Sequence, residues 1–476
     1  MGSPNIFVVF WLDTEDYLTP ESDEAALRLA RIFSQRGVRA TFKVVGEKAR
    51  VLEERGRREV IEALKEHDIG FHSRFHSRHP LIPQYLAQMG WDEGVEEFVR
   101  REGPGLEEVK RILGKAPSCY GQGGGAWAPQ AYGAMLRWGI PAYVSGDSLV
   151  ALGEQPFRFC RCLAISRLDR CMVSIPFEID SPGVLEELKK TFAQAHRYLS
   201  SRGGGLIGVA MHPCTWVLDG EWWDSINFGR GRNPLVEGWK KPRLKPRERI
   251  EKGYEHFALF LQFVLQQPQV KVVTAREAVE IYRDRCEGSE VSKRDLEAIA
   301  SSLSKGITFQ KISHGWISAA EGLGMLVEAL ARYANEGRIP ERVKCKPLLG
   351  PVRRSLSDEG ISKVPFLLLL QGVKEAKAYL DHYGRLPSEF WLGAVKLCPA
   401  DFCASIAKAF LEIVRGREIT EVEIVHGDVL CEEFAKEEYA ESAWQWDCFP
   451  KGFSAPWLLE LTKLQTWSLK PAEPKG

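Results

Sequence analysis

The chain has 476 residues, 44% of them apolar and 27% charged, with 64 basic side chains against 64 acidic ones and a formal net charge of zero. That length is about three times an ordinary domain, so two or more domains are expected. The charge balance gives no footprint for nucleic acid or a membrane surface. No apolar run reaches the length of a membrane span. The run Ile6 to Leu12 is too short for a secretion signal and is followed at once by acids, so a cytoplasmic protein is expected. The eleven cysteines form no framework. Cys160 and Cys162 are the closest pair, a weak metal pattern, and reduced, buried thiols are the expectation.

In chain order, "NIFVVFWL" (5–12) reads as a buried strand, and "ESDEAALRLARIFSQRG" as a helix with acids in its first turn and Gly37 as its stop. "VRATFKVVG" is the next strand, "GRREVIEALKEH" a helix and "DIGFH" a short strand. Strand and helix go on alternating through "GLIGVAMH", "HFALFLQFVLQQ" and "VKVVTAREAVEIYRDR". Repeated β-then-α with short joins predicts parallel strands in a barrel or doubly wound sheet, with chemistry at the carboxyl ends of the strands. Residues 1–285 are assigned to this α/β domain and 286–310, polar and helical in pattern, to a linker. Residues 311–445 form a mainly helical accessory domain, and 446–476 a tail expected to fray. Within the accessory domain, "LVEALARYANEGRIPERV" and "GVKEAKAYLDHYGRLPSEF" form a degenerate two-unit repeat.

The polar residues at the strand ends carry the chemistry. They are "DTED" (13–16), "HSRFH" (72–76) and "MHP" (211–213). His72 and His76, four apart, would share one side of a helical turn, and imidazole nitrogens suit Zn²⁺. A neighbouring carboxylate would make three protein ligands, a second carboxylate a general base, and His212 a proton donor. Helix capping by the acids is the plain alternative. His67 reads as the end of a helix and His79 as a loop residue. Trp127, Trp216, Trp222 and Trp223 would offer a sugar-stacking platform or simply fill the core. Asp147 would orient His212 or cap a turn.

These motifs, in this order, resemble the polysaccharide deacetylases, the NodB-type carbohydrate esterase family 4, over about residues 5–285. "FWLDTED", "ATFKVVG", "HDIGFHSRFH" and "IGVAMHP" are similar to the family's successive motifs. The resemblance implies a distorted (β/α) barrel of the polysaccharide deacetylase type. It implies Asp13 as base, His72 and His76 as ligands of a divalent metal, most simply Zn²⁺, and His212 as acid. The third ligand is Asp16 or Glu15, with Asp16 preferred. The implied reaction is hydrolysis of an N-acyl amide, the substrate an N-acetylated carbohydrate. The chain departs from the family at "SCYGQGGGAWAP" (118–129), which lacks the arginine that would orient the base. Arg230 or Arg232 would substitute, and Arg230 is also placed at the substrate.

In the second half, "GRIPERV" and "GRLPSEF" are similar to the pseudomurein-binding repeat, although helix packing alone explains such units. Two rival functions stay open. One is an allantoinase-like hydrolase of a small amide, on the same fold. The other is a non-catalytic carbohydrate-binding or scaffold protein. Neither a nucleic acid nor a membrane is expected as partner, and a homo-oligomer is allowed.

Overall fold

The structure, a computed structural model, describes residues 5–220, 222–226 and 235–475. Its first part alternates β1 (Ile6–Thr14), α1 (Pro20–Gln35), β2 (Thr41–Val44), α2 (Gly46–Glu54), α3 (Arg58–Lys65) and β3 (Asp68–Phe71). Next come α4 (Ile82–Leu86), α5 (Trp91–Leu113), β4 (Cys119–Tyr120), α6 (Gln130–Trp138), β5 (Ala142–Val144), β6 (Phe157–Phe159), β7 (Cys162–Ile165) and β8 (Met172–Ser174). Then follow α7 (Val184–Ser200), β9 (Gly205–Met211), α8 (Arg247–Leu265), β10 (Val270–Val273) and α9 (Ala275–Ile281).

β1 is apolar without alternation because it is covered on every side. It pairs in parallel with β9 along Ile6–Leu12, with β10 along Ile6–Val9 and with β2 along Trp11–Thr14, the signature of a central parallel strand. From β1 the sheet runs through β2, β3, β4, β5, β7 and β6 to a last strand, Lys470–Pro471; on the other side it runs through β9 to β8. All these pairings are parallel except β6 with β7 and β6 with the last strand. The sheet is curled, a distorted (β/α) barrel left open between β8 and the last strand. No helix among the described residues is long and apolar enough to cross a membrane.

The stretch expected as a linker is folded. Residues 290–292 and the helix Lys293–Leu303 belong to the second core through Val291, Leu296, Ile299 and Leu303. They open a strand–helix–hairpin–helix–strand unit that continues through the hairpin 310–317 and the helix Ala319–Glu336 to Arg342–Lys344, which pairs back on 290–292. The same unit recurs as strand 363–365, helix Phe366–Tyr383, hairpin 390–397, helix Pro399–Val414 and strand 421–423. These two units do not coincide with the segments paired from the sequence. "EGRIP" follows the second helix of its unit and "YGRLP" the first helix of its own. What these segments share is a helix stop, with Gly337 and Gly384 both left-handed at φ 71° and 63° and a proline soon after.

The tail does not fray. The helix Pro456–Gln465 packs Leu458 and Leu459 into the first core, Trp467 enters the second, and Lys470–Pro471 extends the barrel sheet. Lys470, 3% exposed, reaches both oxygens of Glu321 at 2.7 Å and Asp284 at 2.6 Å. One ammonium thus joins the end of the barrel, the helical domain and the last strand. Lys470→Met would leave two carboxylates buried without their cation, a loss of ~3–5 kcal/mol. Urea denaturation of the full chain should show it as a lower midpoint, whereas an unchanged midpoint would mean the triad carries no stability.

Candidate metal centre and active site

Asp13 lies near the end of β1, directly opposite Lys43 of β2 in the parallel register. Their side chains meet at 2.8 Å, and Lys43, with no exposed surface, also donates to the Val144 carbonyl at 2.8 Å. Burial pushes the Asp13 carboxyl up, but the charge of Lys43, helped by His72 and His212, outweighs it and holds the group below its ordinary range. Lys43 therefore holds Asp13, the role the resemblance gives to an arginine. The signal in the sequence was a lysine inside the otherwise apolar strand "TFKVV". Arg230 and Arg232 lie outside the described residues.

Two residues beyond Asp13, Glu15 is 5% exposed. Its Oε2 lies 2.9 Å from His76 Nε2 and 3.3 Å from His72 Nε2, and its Oε1 accepts the Trp222 indole N–H at 2.7 Å. Burial raises the Glu15 pKa, but the neighbouring imidazoles, His76 and His212 foremost, carry it well below the usual value. Among the described residues these three form the one group whose ligand atoms lie within 4.8 Å of one another. Atoms on a tetrahedral ion at ~2.0–2.1 Å are spaced about 3.3 Å apart, close to what is seen. His72 Nδ1 sits 2.7 Å from the Gly121 carbonyl, which leaves Nε2 as the lone-pair nitrogen facing Glu15. The donor set, with the Gly121 carbonyl behind His72, fits a divalent metal.

Asp16, the expected third ligand, faces away. Its Oδ1 accepts the N–H groups of Leu18 and Thr19 at 2.9 and 3.2 Å, and its Oδ2 is bonded by the Ser22 hydroxyl. It closes the turn that leads into α1 without capping the helix itself, and Glu15 takes the place beside the histidines. The histidines also do not share a helical turn. His72 follows β3, and Ser73 and His76 take left-handed φ of 63° and 57°. That tight loop, with Ser73 Oγ accepting the His76 N–H at 3.0 Å, folds the second imidazole back toward the first.

His212 follows β9, half exposed, with Nε2 3.7 Å from Asp13 Oδ2 and its ring stacked on Phe177. Asp147 does not reach it; that carboxylate lies 3.5 Å from Arg167 instead. Trp127 and Trp216, expected at the substrate, are each 1% exposed. Trp127 packs on Tyr132 and Phe159, and Trp216 on Tyr254 and Phe257. Both are core, and neither offers a face to a ligand. His67 is likewise core, packed on Phe33 and Phe42.

The aromatic wall joins Trp222 and Trp223, two of the expected tryptophans, to one from the tail; the Trp222 ring lies 5.2 Å from that of His76. Trp446, in the tail, meets His76 edge-on with centroids 5.7 Å apart and also meets Trp223 at 6.0 Å. The glycine run permits this approach. A Cβ on Gly123 would lie 2.4 Å from the His76 ring, one on Gly124 2.4 Å from the Trp446 ring, and one on Gly125 1.9 Å from the Ala443 carbonyl.

No family model matches the chain, and no curated protein matches it. Among solved structures, it resembles a protein assigned as a polysaccharide deacetylase from Mycobacterium smegmatis, at 14% identity and TM-score 0.39, over 59% of this chain and 90% of that one. It also resembles a family 4 acetyl xylan esterase from Clostridium thermocellum, solved with a cobalt ion (14%, TM-score 0.30, 58% and 91%). A family 4 carbohydrate esterase from Streptomyces lividans, solved with acetate, is similar too (13%, TM-score 0.29, 57% and 93%). The resemblance to carbohydrate esterase family 4 is one of fold.

Behind the histidine loop, Glu102 of α5, 8% exposed, accepts the Arg74 N–H at 2.6 Å. Burial raises its pKa to about 7. The folded value thus lies above the unfolded one, so the folded state holds the extra proton between pH ~4.5 and ~7, and stability falls as pH rises through that window. Glu102→Gln should flatten the slope and stabilise the protein at pH 8 by up to ~3 kcal/mol while changing little at pH 4.5. Denaturation at the two pH values reads it, and equal shifts at both would refute the assignment.

Proposed function

We propose that this chain is a metal-dependent hydrolase that removes an acyl group, acetyl in the simplest case, from the nitrogen of an N-acetylated amino sugar. The observation that carries the reading is the position of Asp13. One of its oxygens is tied to Lys43, and the other lies 3.8 Å from His72 and 3.7 Å from His212, between the candidate metal ligands and a half-exposed imidazole.

A divalent ion on Glu15, His72 and His76 would supply Lewis-acid chemistry, polarising the amide carbonyl and making water a better nucleophile near neutral pH. Asp13, kept ionised by Lys43, accepts the proton of the attacking water through Oδ2. His212, the more exposed partner, gives a proton to the departing nitrogen. The C–N bond breaks, and a carboxylate and an amine leave. His72, its Nδ1 committed to Gly121, cannot rotate away, and Trp222 holds the second Glu15 oxygen so that the carboxylate presents only the first.

Metal analysis and acetate release together test this. Glu15→Gln and His72→Ala should each lower zinc affinity at least ~100-fold and abolish release of acetate from N-acetylglucosamine oligomers. Asp16→Asn should keep its zinc and lose ~1 kcal/mol of stability. A protein that binds no divalent ion under any loading condition, or one in which Asp16→Asn empties the site while Glu15→Gln does not, contradicts the reading.

Lys43→Met should lower kcat by ~10²-fold or more, with zinc content unchanged, because it removes what keeps Asp13 charged and oriented. Equal loss of zinc and activity would instead make Lys43 part of the metal's own support.

A further inference from the structure

Beside the metal centre, on the far side of Trp446, lies a cleft of about 630 Å³. It lies between the helix Glu437–Trp444 and the turn that follows it, within the size range of ligand sites. Trp446 lines it and its ring also meets that of His76, so this indole touches both the cleft and a candidate metal ligand. Phe449 and Phe453 stack face to face in its wall, centroids 4.4 Å apart. Trp444, 8% exposed, also lines it, and its indole N–H has no hydrogen-bond partner among the described residues. Glu437 and Glu441, one turn apart on the exposed face of their helix, share the lining with one cation among the described residues, Lys451. The cleft therefore joins the partly exposed rings of Trp446 and Phe453, a buried donor without a partner and more carboxylates than cations among the described residues.

We propose that this cleft binds an amino-sugar oligomer bearing free amines, as a distal subsite that holds already deacylated units while the next acylated unit lies at the metal centre. The inference rests on the reading of the function given above. Each deacylation turns a neutral amide into an amine that is protonated at neutral pH. A partly processed chain thus carries positive charge that its fully acylated precursor lacks. Aromatic faces suit the apolar C–H faces of sugar rings, the carboxylates suit the ammonium groups, and the Trp444 N–H suits a hydroxyl. A neutral, fully acylated oligomer satisfies only the first and last of these.

Isothermal titration of the full chain, zinc-loaded and zinc-free, would use three probes: a glucosamine tetramer, an N-acetylglucosamine tetramer and tetralysine. The glucosamine tetramer should bind in both forms of the protein, more weakly as salt rises. In the exposed-helix double variant Glu437→Gln/Glu441→Gln its affinity should fall about fivefold. Zinc content and acetate release from monomeric N-acetylglucosamine should stay as in the parent protein. Absence of glucosamine tetramer binding, unchanged affinity in the double variant, or equally tight binding of tetralysine would each overturn the proposal. Charge-dependent tetramer binding without acetate release from any amino sugar would leave the subsite standing and defeat the reaction assigned to the metal centre.

Discussion

The centre depends on burying one ammonium beside one carboxylate. Lys43 has no exposed surface, and an unpaired charge at such a place would cost several kcal/mol. It is tolerated because the parallel register of β1 and β2 sets Asp13 opposite it and because the Val144 carbonyl accepts a hydrogen bond from it. Room for it comes from two glycines. A Cβ at Gly70, its register partner on β3, would lie 2.8 Å from the lysine stem, and one at Gly121 would lie 2.6 Å from the ammonium. Gly121 then offers its own carbonyl to His72 Nδ1. The requirement that admits the lysine therefore also places the group that sets the tautomer of a candidate metal ligand.

A second buried charge cluster governs which acid of "DTED" faces the histidines. Asp23, with no exposed surface, pairs with Lys48 at 2.6 Å and with Arg55 at 2.9 Å. Lys48 in turn bonds the Asp16 carbonyl, and Arg55 bonds the carbonyls of Tyr17 and Leu18 at 2.9 Å each. The backbone of 16–18 is thus gripped by cations from α2 and its end, while the Asp16 side chain closes the turn into α1. Glu15, one methylene longer than Asp and fixed at its far oxygen by Trp222, is the acid left to reach across to β3.

The barrel was legible because its signal is local. Apolar strands, capped helices and short joins repeat along residues 5–285, and strand ends are where polar residues gather. His72, His76, Asp13 and His212 could be picked out for that reason. Their geometry was less accessible. A four-residue spacing suggests a helical turn, whereas left-handed backbone at Ser73 and His76 leaves no trace in periodicity. Glu15 and Asp16 are separated by contacts to Trp222 and Ser22, one of them more than two hundred residues away. Trp127 and Trp216 read equally well as platform or core, and only burial decides. Lys43 was passed over, although a charge inside a buried strand needs a partner.

The division into catalytic domain and appendage also gives way. A polar stretch such as 286–310 looks like a linker from composition, yet every third or fourth residue of its helix is apolar, and these enter a core whose other half lies far along the chain. The tail runs back between the two cores, adds a strand to the barrel sheet and sets Trp446 against His76. Lys470 closes that path with charges drawn from three segments. The glycine run 123–125 belongs to the same constraint. Each missing Cβ lets either a metal-ligand candidate or the tail approach the loop, so "GQGGG" is the seam along which the last forty residues complete a site begun by the first sixteen.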